Sequence, residues 1–267
     1  MDFAYNAASQ FDTITRYASL DTSELVATTF DYDTAIGRLE SISHAKEMTT
    51  LASYSYTYDL AGRFDEIDSL LDGVTSYTHD NRGQLTDADH ASITDEAYAY
   101  DDNGNRVMSG HVVGANNQLT IDGTYTYEYD DEGNRTAREL ISTGERTEYE
   151  WDHRNRLVRV VYKDEFDDVV KVVEHSYDYQ NRWVRSQVDA DGDEDFDSER
   201  FFAYDGNQIV LAFDGDQAND LTNRYLWGPV VDQILADEQV TSLGSAGDVI
   251  WPLTDHLGTA RKRKGQA

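Results

Sequence analysis

The chain has 267 residues, no cysteine, 52 acidic against 22 basic side chains and 18 tyrosines, for a formal net charge of −30. Zero cysteine excludes a disulfide scaffold, a cysteine-ligated zinc site, an iron–sulfur cluster and a thiol nucleophile. The acid excess excludes the usual basis of nucleic-acid affinity, lysine and arginine neutralising phosphates, and disfavours an anionic membrane surface.

A strongly charged chain can fail to fold for lack of apolar surface. Here the 12% aromatic content supplies rings that each bury about 150–250 Å². Aspartate outnumbers glutamate, 36 to 16, and aspartate favours turns over helices. The composition predicts many turns joined by tyrosine-rich strands. The first 20 residues have neither the basic nor the apolar region of a secretory leader, and no run reaches the ~18–20 apolar residues of a membrane span.

In chain order, residues 1–27 read as a strand and a partial repeat. Residues 28–215 then carry a repeat built on Tyr-Asp-x-x-Gly, with aspartates at Asp33, Asp59, Asp80, Asp101, Asp130, Asp152, Asp178 and Asp205, spaced by 21 to 29 residues. Tyrosines two apart precede the aspartate, as in Tyr54-x-Tyr56-x-Tyr58 and Tyr125-x-Tyr127-x-Tyr129, which places the rings on one face of a strand. A second strand follows, for example Arg156–Tyr162 or Ile209–Phe213, so each unit is a β-hairpin.

Turn chemistry explains the motif. An aspartate at the first position of a type I turn accepts N–H groups two residues on. The residue three beyond it then takes a positive φ, the left-handed position of a bulged hairpin, where glycine and, more weakly, asparagine and aspartate fit. The motif residues are thus Tyr58, Asp59, Gly62 and Arg63; Tyr100, Asp101 and Gly104; Tyr129, Asp130, Gly133 and Arg135; Trp151, Asp152 and Asn155; and Tyr177, Asp178 and Asn181. Gly83 has the same offset, and His79 stands in place of the tyrosine. The Asp33 copy is longer and the Asp205 copy shorter, so those turns differ. The following arginine is expected to pair with an acid on the neighbouring hairpin.

This pattern resembles the YD repeat of the Rhs family, which includes bacterial Rhs proteins, shell subunits of insecticidal toxin complexes and the YD shell of teneurins. Residues 216–260 carry two further landmarks. Arg224–Pro229, with Tyr225, Gly228, Pro229 and then Asp232, resembles a segment near the end of Rhs cores. Asp255, His256, Leu257, Gly258 and Thr259 resemble the signature that follows it. The resemblance implies an all-β fold, an array of antiparallel hairpins in a curved or spiralling YD-shell sheet. It also implies a secreted or cell-surface setting, and reads the chain as a C-terminal portion of an Rhs core. The aspartyl self-cleavage segment of toxin-carrying relatives has no counterpart here, so neither self-cleavage nor a toxin is carried over. Residues 261–267 read as a basic tail.

Two clusters invite other readings. Asp189, Asp191, Asp193 and Asp195 alternate as calcium-loop ligands do, but Glu194 and Arg200 stand where an EF-hand has glycine and glutamate. The alternatives are a calcium site and a solvated acidic loop. His256 beside Asp255 suggests a catalytic pair, yet neighbours on a strand point to opposite faces, and a packed or capping histidine is expected. No catalytic residue is assigned and no cofactor beyond calcium is implied. The expected function is a non-enzymatic YD shell segment, whose partners are other YD segments or an enclosed polypeptide. The alternatives are a cell-surface adhesion module binding glycans or protein, rigidified by calcium, and, third, a carbohydrate-active enzyme.

Overall fold

The computed structural model describes residues 1–17, 24–229, 233–258 and 260–264, with residues 24 and 260–264 described by their backbone. The described residues form two large antiparallel sheets, neither closed into a barrel, with two short 3₁₀ turns as the helical content. The chain divides into two units, residues 1–98 with 250–267, and residues 99–249.

In the first unit, nine strands follow one another in sequence order: β1 (Asp2–Tyr5), β2 (Phe11–Tyr17), β3 (Glu24–Tyr32), β4 (Leu39–Lys46), β5 (Thr49–Tyr58), β6 (Phe64–Ser69), β7 (Gly73–His79), β8 (Leu85–His90) and β9 (Glu96–Ala97). Alternation in β5 works as the tyrosine spacing predicts: Ala52, Tyr54 and Tyr56 are buried while Ser55 and Thr57 face solvent. With Ile42 they form a core against which Phe30, Leu39, Tyr58, Phe64 and Ile67 pack. Each large side chain so buried contributes about 1.5–3 kcal/mol.

The second unit continues with β10 (His111–Val113), β11 (Leu119–Asp122), β12 (Tyr125–Tyr129), β13 (Arg135–Leu140), β14 (Arg146–Trp151), β15 (Leu157–Lys163), β16 (Val169–Tyr177), β17 (Trp183–Asp189), β18 (Ser198–Asp205), β19 (Gln208–Phe213), β20 (Leu221–Trp227) and β21 (Ile234–Gln239). Its fully buried apolar residues are aliphatic, among them Val160, Val161, Val172, Ala212, Leu221 and Leu235. The repeat tyrosines of this unit are half-buried instead; the hydroxyls of Tyr129, Tyr177 and Tyr204 reach backbone carbonyls, and that of Tyr127 the Asp122 carboxylate.

Two last strands, β22 (Asp248–Thr254) and β23 (Ala260–Lys264), pair antiparallel, Leu253 opposite Lys262. Residues 261–264, the start of the segment that reads from sequence as a basic tail, thus lie in a strand paired with β22. Trp251, Pro252, Leu253 and Asp255 are buried.

Candidate functional site

The repeated turn is the site that the sequence singles out, and the structure shows what its residues do. In each regular copy the Asp N–H donates to the carbonyl of the residue four on, and the N–H three on donates back to the Asp carbonyl, as in Asp59 with Arg63 (2.9 Å) and Gly62 (3.0 Å). One Asp oxygen accepts N–H groups two and four residues on, for example from Arg154 (2.8 Å) and Arg156 (3.1 Å) at Asp152. The residue at offset three has a positive φ in every such copy: Gly62 84°, Gly83 84°, Gly104 86°, Gly133 88°, Asn155 57° and Asn181 67°. Strand register slips by one residue at the ring, between Thr57 and Tyr58, Glu128 and Tyr129, Glu150 and Trp151, and Ser176 and Tyr177. This is the bulge that the positive φ requires. Tyr100 differs: it makes one bridge, to Arg106, rather than a long hairpin.

The expectation for the arginines is corrected. Arg63, Arg156 and Arg182 pair with Asp59, Asp152 and Asp178 of their own turns, each Nε donating to the carboxylate at 2.7 Å. Four residues is the reach of a side chain folding back over the turn that its own N–H closes. Only the remaining guanidinium nitrogen reaches onward. Arg63 Nη1 donates to the Asp80 carbonyl (3.4 Å), Arg156 Nη1 to that of Asp178 (3.3 Å) and Arg182 Nη1 to that of Gly206 (2.8 Å). Where asparagine holds this place the contact is amide to amide, Asn134 Nδ2 to Asn155 Oδ1 at 3.1 Å. The guanidinium also covers the next ring: Arg156 lies 4.9 Å from the centre of Tyr177, Arg182 5.0 Å from Tyr204 and Arg38 4.2 Å from Tyr58.

The rings reach backward. Tyr58 donates its hydroxyl to the Leu39 carbonyl (2.7 Å), Tyr177 to Leu157 (2.8 Å) and Tyr204 to Trp183 (2.6 Å); Trp151 Nε1 donates to Arg135 (2.8 Å). Each acceptor lies just past the preceding turn. Consecutive hairpins are thus locked in both directions, arginine or asparagine forward and the ring backward. Electrostatics follow. The Arg156 side chain holds the Asp152 carboxyl down to about 2, assisted by backbone N–H groups. Arg63 lowers Asp59 in the same way, and Asn105 and Asn134 lower Asp101 and Asp130.

Three turns of this kind escape the sequence pattern. Asn6 accepts the Ala8 and Gln10 N–H groups with Ser9 at φ 62°, and Gln10 Nε2 bridges to the Gly37 carbonyl at 2.8 Å. Asp164 does the same for Phe166 and Asp168, with Asp167 at φ 68°. Asp255 accepts the Leu257 N–H (2.9 Å), and Gly258, at φ 79°, donates to the Asp255 carbonyl (3.1 Å). The signature Asp255–Gly258 is therefore a turn of the repeat type. Tyr5 and the amide four beyond Asn6 were readable signals of the first of these turns, where Ser9 is not an expected left-handed residue; Asp167 is one of the weaker left-handed residues, and Lys163 rather than tyrosine precedes Asp164.

His256 packs edge-on against Tyr56 (4.9 Å) and Phe64 (4.6 Å), while Asp255 is occupied by its own turn. Tyr225 lies in β20 opposite Asp237, its ring 6.4 Å from that of Trp227. Gly228 donates to the Gln233 carbonyl at 2.8 Å, and a Cβ there would fall 2.1 Å from Gln233 Oε1, so a side chain at this position would have to displace the end of the glutamine. Pro229 is exposed. Asp232 and Thr259 lie outside the described residues.

In the acidic loop, Asp189 is buried and its carboxylate accepts the N–H groups of Asp191 (3.2 Å), Gly192 (2.6 Å) and Glu194 (3.1 Å). Burial pushes its pKa up, and those N–H groups outweigh it and hold it low. Oxygens of Asp189, Asp191 and Asp197 lie within 4.8 Å of one another, a set of hard ligands of the kind a divalent cation takes. Asp193 and Asp195 do not join that group; Asp193 instead accepts the Asp195 N–H at 3.0 Å.

The turn interlock and the sequential antiparallel sheets define a protein built by hairpin repetition. The teneurin YD-shell family model matches residues 13–196, more than half of the chain, and the chain belongs to that family. The family is a structural shell fold. Similar solved structures include TcdB2–TccC3 without its hypervariable C-terminal region (12% identity, TM-score 0.46, covering 98% of this chain and 17% of that one). Another is the Tc holotoxin pore of Photorhabdus luminescens (13% identity, TM-score 0.45, covering 98% and 17%). The chain spans less than a fifth of those chains. No curated protein matches it. No helix of the described residues is long and apolar enough to cross a membrane.

Proposed function

We propose that the chain is a non-enzymatic wall segment of a β-shell that encloses or presents another polypeptide. The two-way interlock carries this reading. It commits the recurring aspartates, arginines and tyrosines to holding one hairpin to the next, and a wall needs that continuity. A hairpin alone is marginal in water, whereas neighbours stacked in series stabilise one another. The test is protease protection with the chain in its natural gene product. A polypeptide that resists digestion while the β-wall is intact, and is degraded once the wall is unfolded by urea, is expected. A monodisperse product that protects no polypeptide overturns the reading.

The adhesion alternative, with calcium as rigidifier, draws on the proximity of Asp189, Asp191 and Asp197. A rise in melting temperature with calcium, lost in Asp191→Asn, would support it, because a ligand bound only by the folded state raises stability. An unchanged melting temperature at millimolar calcium removes the metal from that reading.

A further inference from the structure

In the second unit, β17, β18 and the loop between them border a pocket of about 780 Å³, within the range of sites that take organic ligands. Its walls are aromatic, Trp183 and Phe202 on the strands and Phe196 on the loop. Trp183 and Phe202 are already partnered: their ring centres are 4.6 Å apart, and the Arg200 guanidinium lies 5.9 Å from the centre of Phe202. Phe196 is 42% exposed and has neither a ring nor a cation against it among the described residues. It stands between Asp195 and Asp197, and Asp197 lines the pocket with Glu199 and Asp214. Glu199 is held by Arg185 (2.5 Å). Arg200, the basic side chain of the lining, is also committed, its Nη2 donating to Asn223 Oδ1 (2.9 Å) and its Nε 3.6 Å from Asp214. Asp197 accepts the Ala190 N–H (2.7 Å) but has no cation beside it, and the Asp214 side chain is 64% exposed. Repulsion from Asp193 first, then desolvation, with Asp197 and Asp189 adding to it, raises the pKa of the neighbouring Asp191, so the negative charge at this loop is not neutralised from within.

We propose that this pocket receives an arginine side chain of the polypeptide that the wall encloses or presents, its guanidinium over Phe196 and its N–H groups toward the Asp197 and Asp214 carboxylates; the source of that side chain rests on the function proposed above. The chain uses the same combination internally. Arg156 lies over Tyr177 while bound to Asp152, and Arg182 over Tyr204 while bound to Asp178. Phe196 offers the ring and the carboxylates without the guanidinium. A cation is attracted to a ring face, and a planar guanidinium can stack on the ring while its N–H groups meet a carboxylate, which a compact ammonium does less well. A net charge of −30 draws a basic segment in and repels an acidic one. The volume exceeds that of one side chain, which leaves room for the flanking backbone.

The full chain is titrated with N-acetyl-argininamide, N-acetyl-lysinamide and N-acetyl-citrullinamide, the last an uncharged isostere of the first, binding being read by ligand-observed NMR at low and high salt. The arginine amide is expected to bind about tenfold more tightly than the citrulline amide, the combined effect of one ring contact and one exposed ion pair. The lysine amide should fall between them, and the arginine preference should shrink at high salt. Phe196→Leu should weaken arginine-amide binding about threefold. Asp214→Asn should reduce the preference for arginine over citrulline and leave citrulline-amide binding in place. Asp131→Asn, exposed in the turn between β12 and β13, removes the same charge away from the pocket and should change neither, with circular dichroism confirming the fold of all three variants. No binding, equal binding of the arginine and citrulline amides, or indifference to Phe196→Leu overturns the proposal. An equal loss in Asp131→Asn and Asp214→Asn also overturns it, in favour of diffuse attraction to an acidic surface, and tighter binding of the lysine amide overturns the guanidinium assignment. These probes report on the pocket whether or not a polypeptide is enclosed, so its failure is distinguishable from failure of the wall reading.

Discussion

The His44 imidazole and the backbone carbonyl of Thr254 are 2.9 Å apart across 210 residues of sequence. The contact ends a buried chain: Arg16 Nη1 donates to Thr28 Oγ1 (2.6 Å), and Thr28 lies 2.8 Å from His44 Nδ1. The Thr254 carbonyl can only accept, so a neutral His44 carries its proton on Nε2 and gives it to Thr254, and Nδ1 accepts the Thr28 hydroxyl proton while the Thr28 oxygen accepts from Arg16. Desolvation first, then the nearby Arg16 charge, lower His44 to about 4, against the hydrogen bond to Thr254.

A pH dependence results. The folded-state pKa lies below the ordinary value of about 6.5, so the unfolded chain binds the proton first. Stability is full above pH 6.5, declines as pH falls, and is lost through pH 4, by up to about 3 kcal/mol at the low end. Urea unfolding of the wild type from pH 7 to 4 should show this decline, and His44→Gln should flatten it. The same slope in both proteins would refute the assignment.

The turn aspartates titrate lower. Asp178 is pushed up by desolvation, but the Arg182 N–H and side chain outweigh this and hold it down. A depressed carboxylate contributes stability above its unfolded pKa and loses it as pH falls through the folded one. Asp178→Ala should lower the unfolding free energy at pH 7, as loss of a capping side chain does. Asp178→Asn, which retains an acceptor, should cost less. Equal costs would mean that the ion pair, rather than the N–H acceptance, holds the turn.

Gly133 isolates the cost of backbone conformation. Its φ is 88°, and a Cβ would meet only Gln118 Nε2 at 3.7 Å, ordinary contact. Gly133→Ala should therefore destabilise by about 1–2 kcal/mol through the left-handed conformation alone, while Asn155→Gly, at φ 57°, relieves that backbone cost but loses the contact from Asn134 Nδ2, and should change stability by less. Denaturant midpoints decide, and a neutral Gly133→Ala would refute the turn assignment.

Backward locking predicts that Tyr177→Phe, which loses the hydroxyl donated to Leu157, costs about 1 kcal/mol with no change of secondary structure. A double cycle with Arg156→Gln should show coupling, because the Arg156 guanidinium sits over the same ring. Additive costs would separate the two locks.

Asp191 behaves oppositely to the turn aspartates. Repulsion from Asp193, followed by desolvation, raises its pKa. Its charged form is thus disfavoured in the folded state, and stability should rise as the carboxyl is protonated. Asp191→Asn should raise the melting temperature at neutral pH and low salt, with a smaller gain at high salt. A lower melting temperature at every salt concentration would contradict this.

The sequence by itself determined the regular turns, whose backbone hydrogen bonds close within about five residues. Asp59 with Gly62, and Asp178 with Asn181, announce their turn because the hydrogen bonds and positive φ are local, and Tyr54-x-Tyr56 announces its face because alternation is a property of one strand. Asn6–Ser9 and Asp164–Asp167 stayed hidden, since the same turn tolerates residues that spend more backbone energy at the left-handed position. Only the tertiary structure decided which partner lies across a hairpin boundary: Arg156 on the Asp178 carbonyl, Tyr177 on Leu157, His44 on Thr254, and Asp197 rather than Asp193 beside Asp189. Those contacts depend on strand register, loop path and side chains meeting across eight to 210 residues, and no local spacing encodes them.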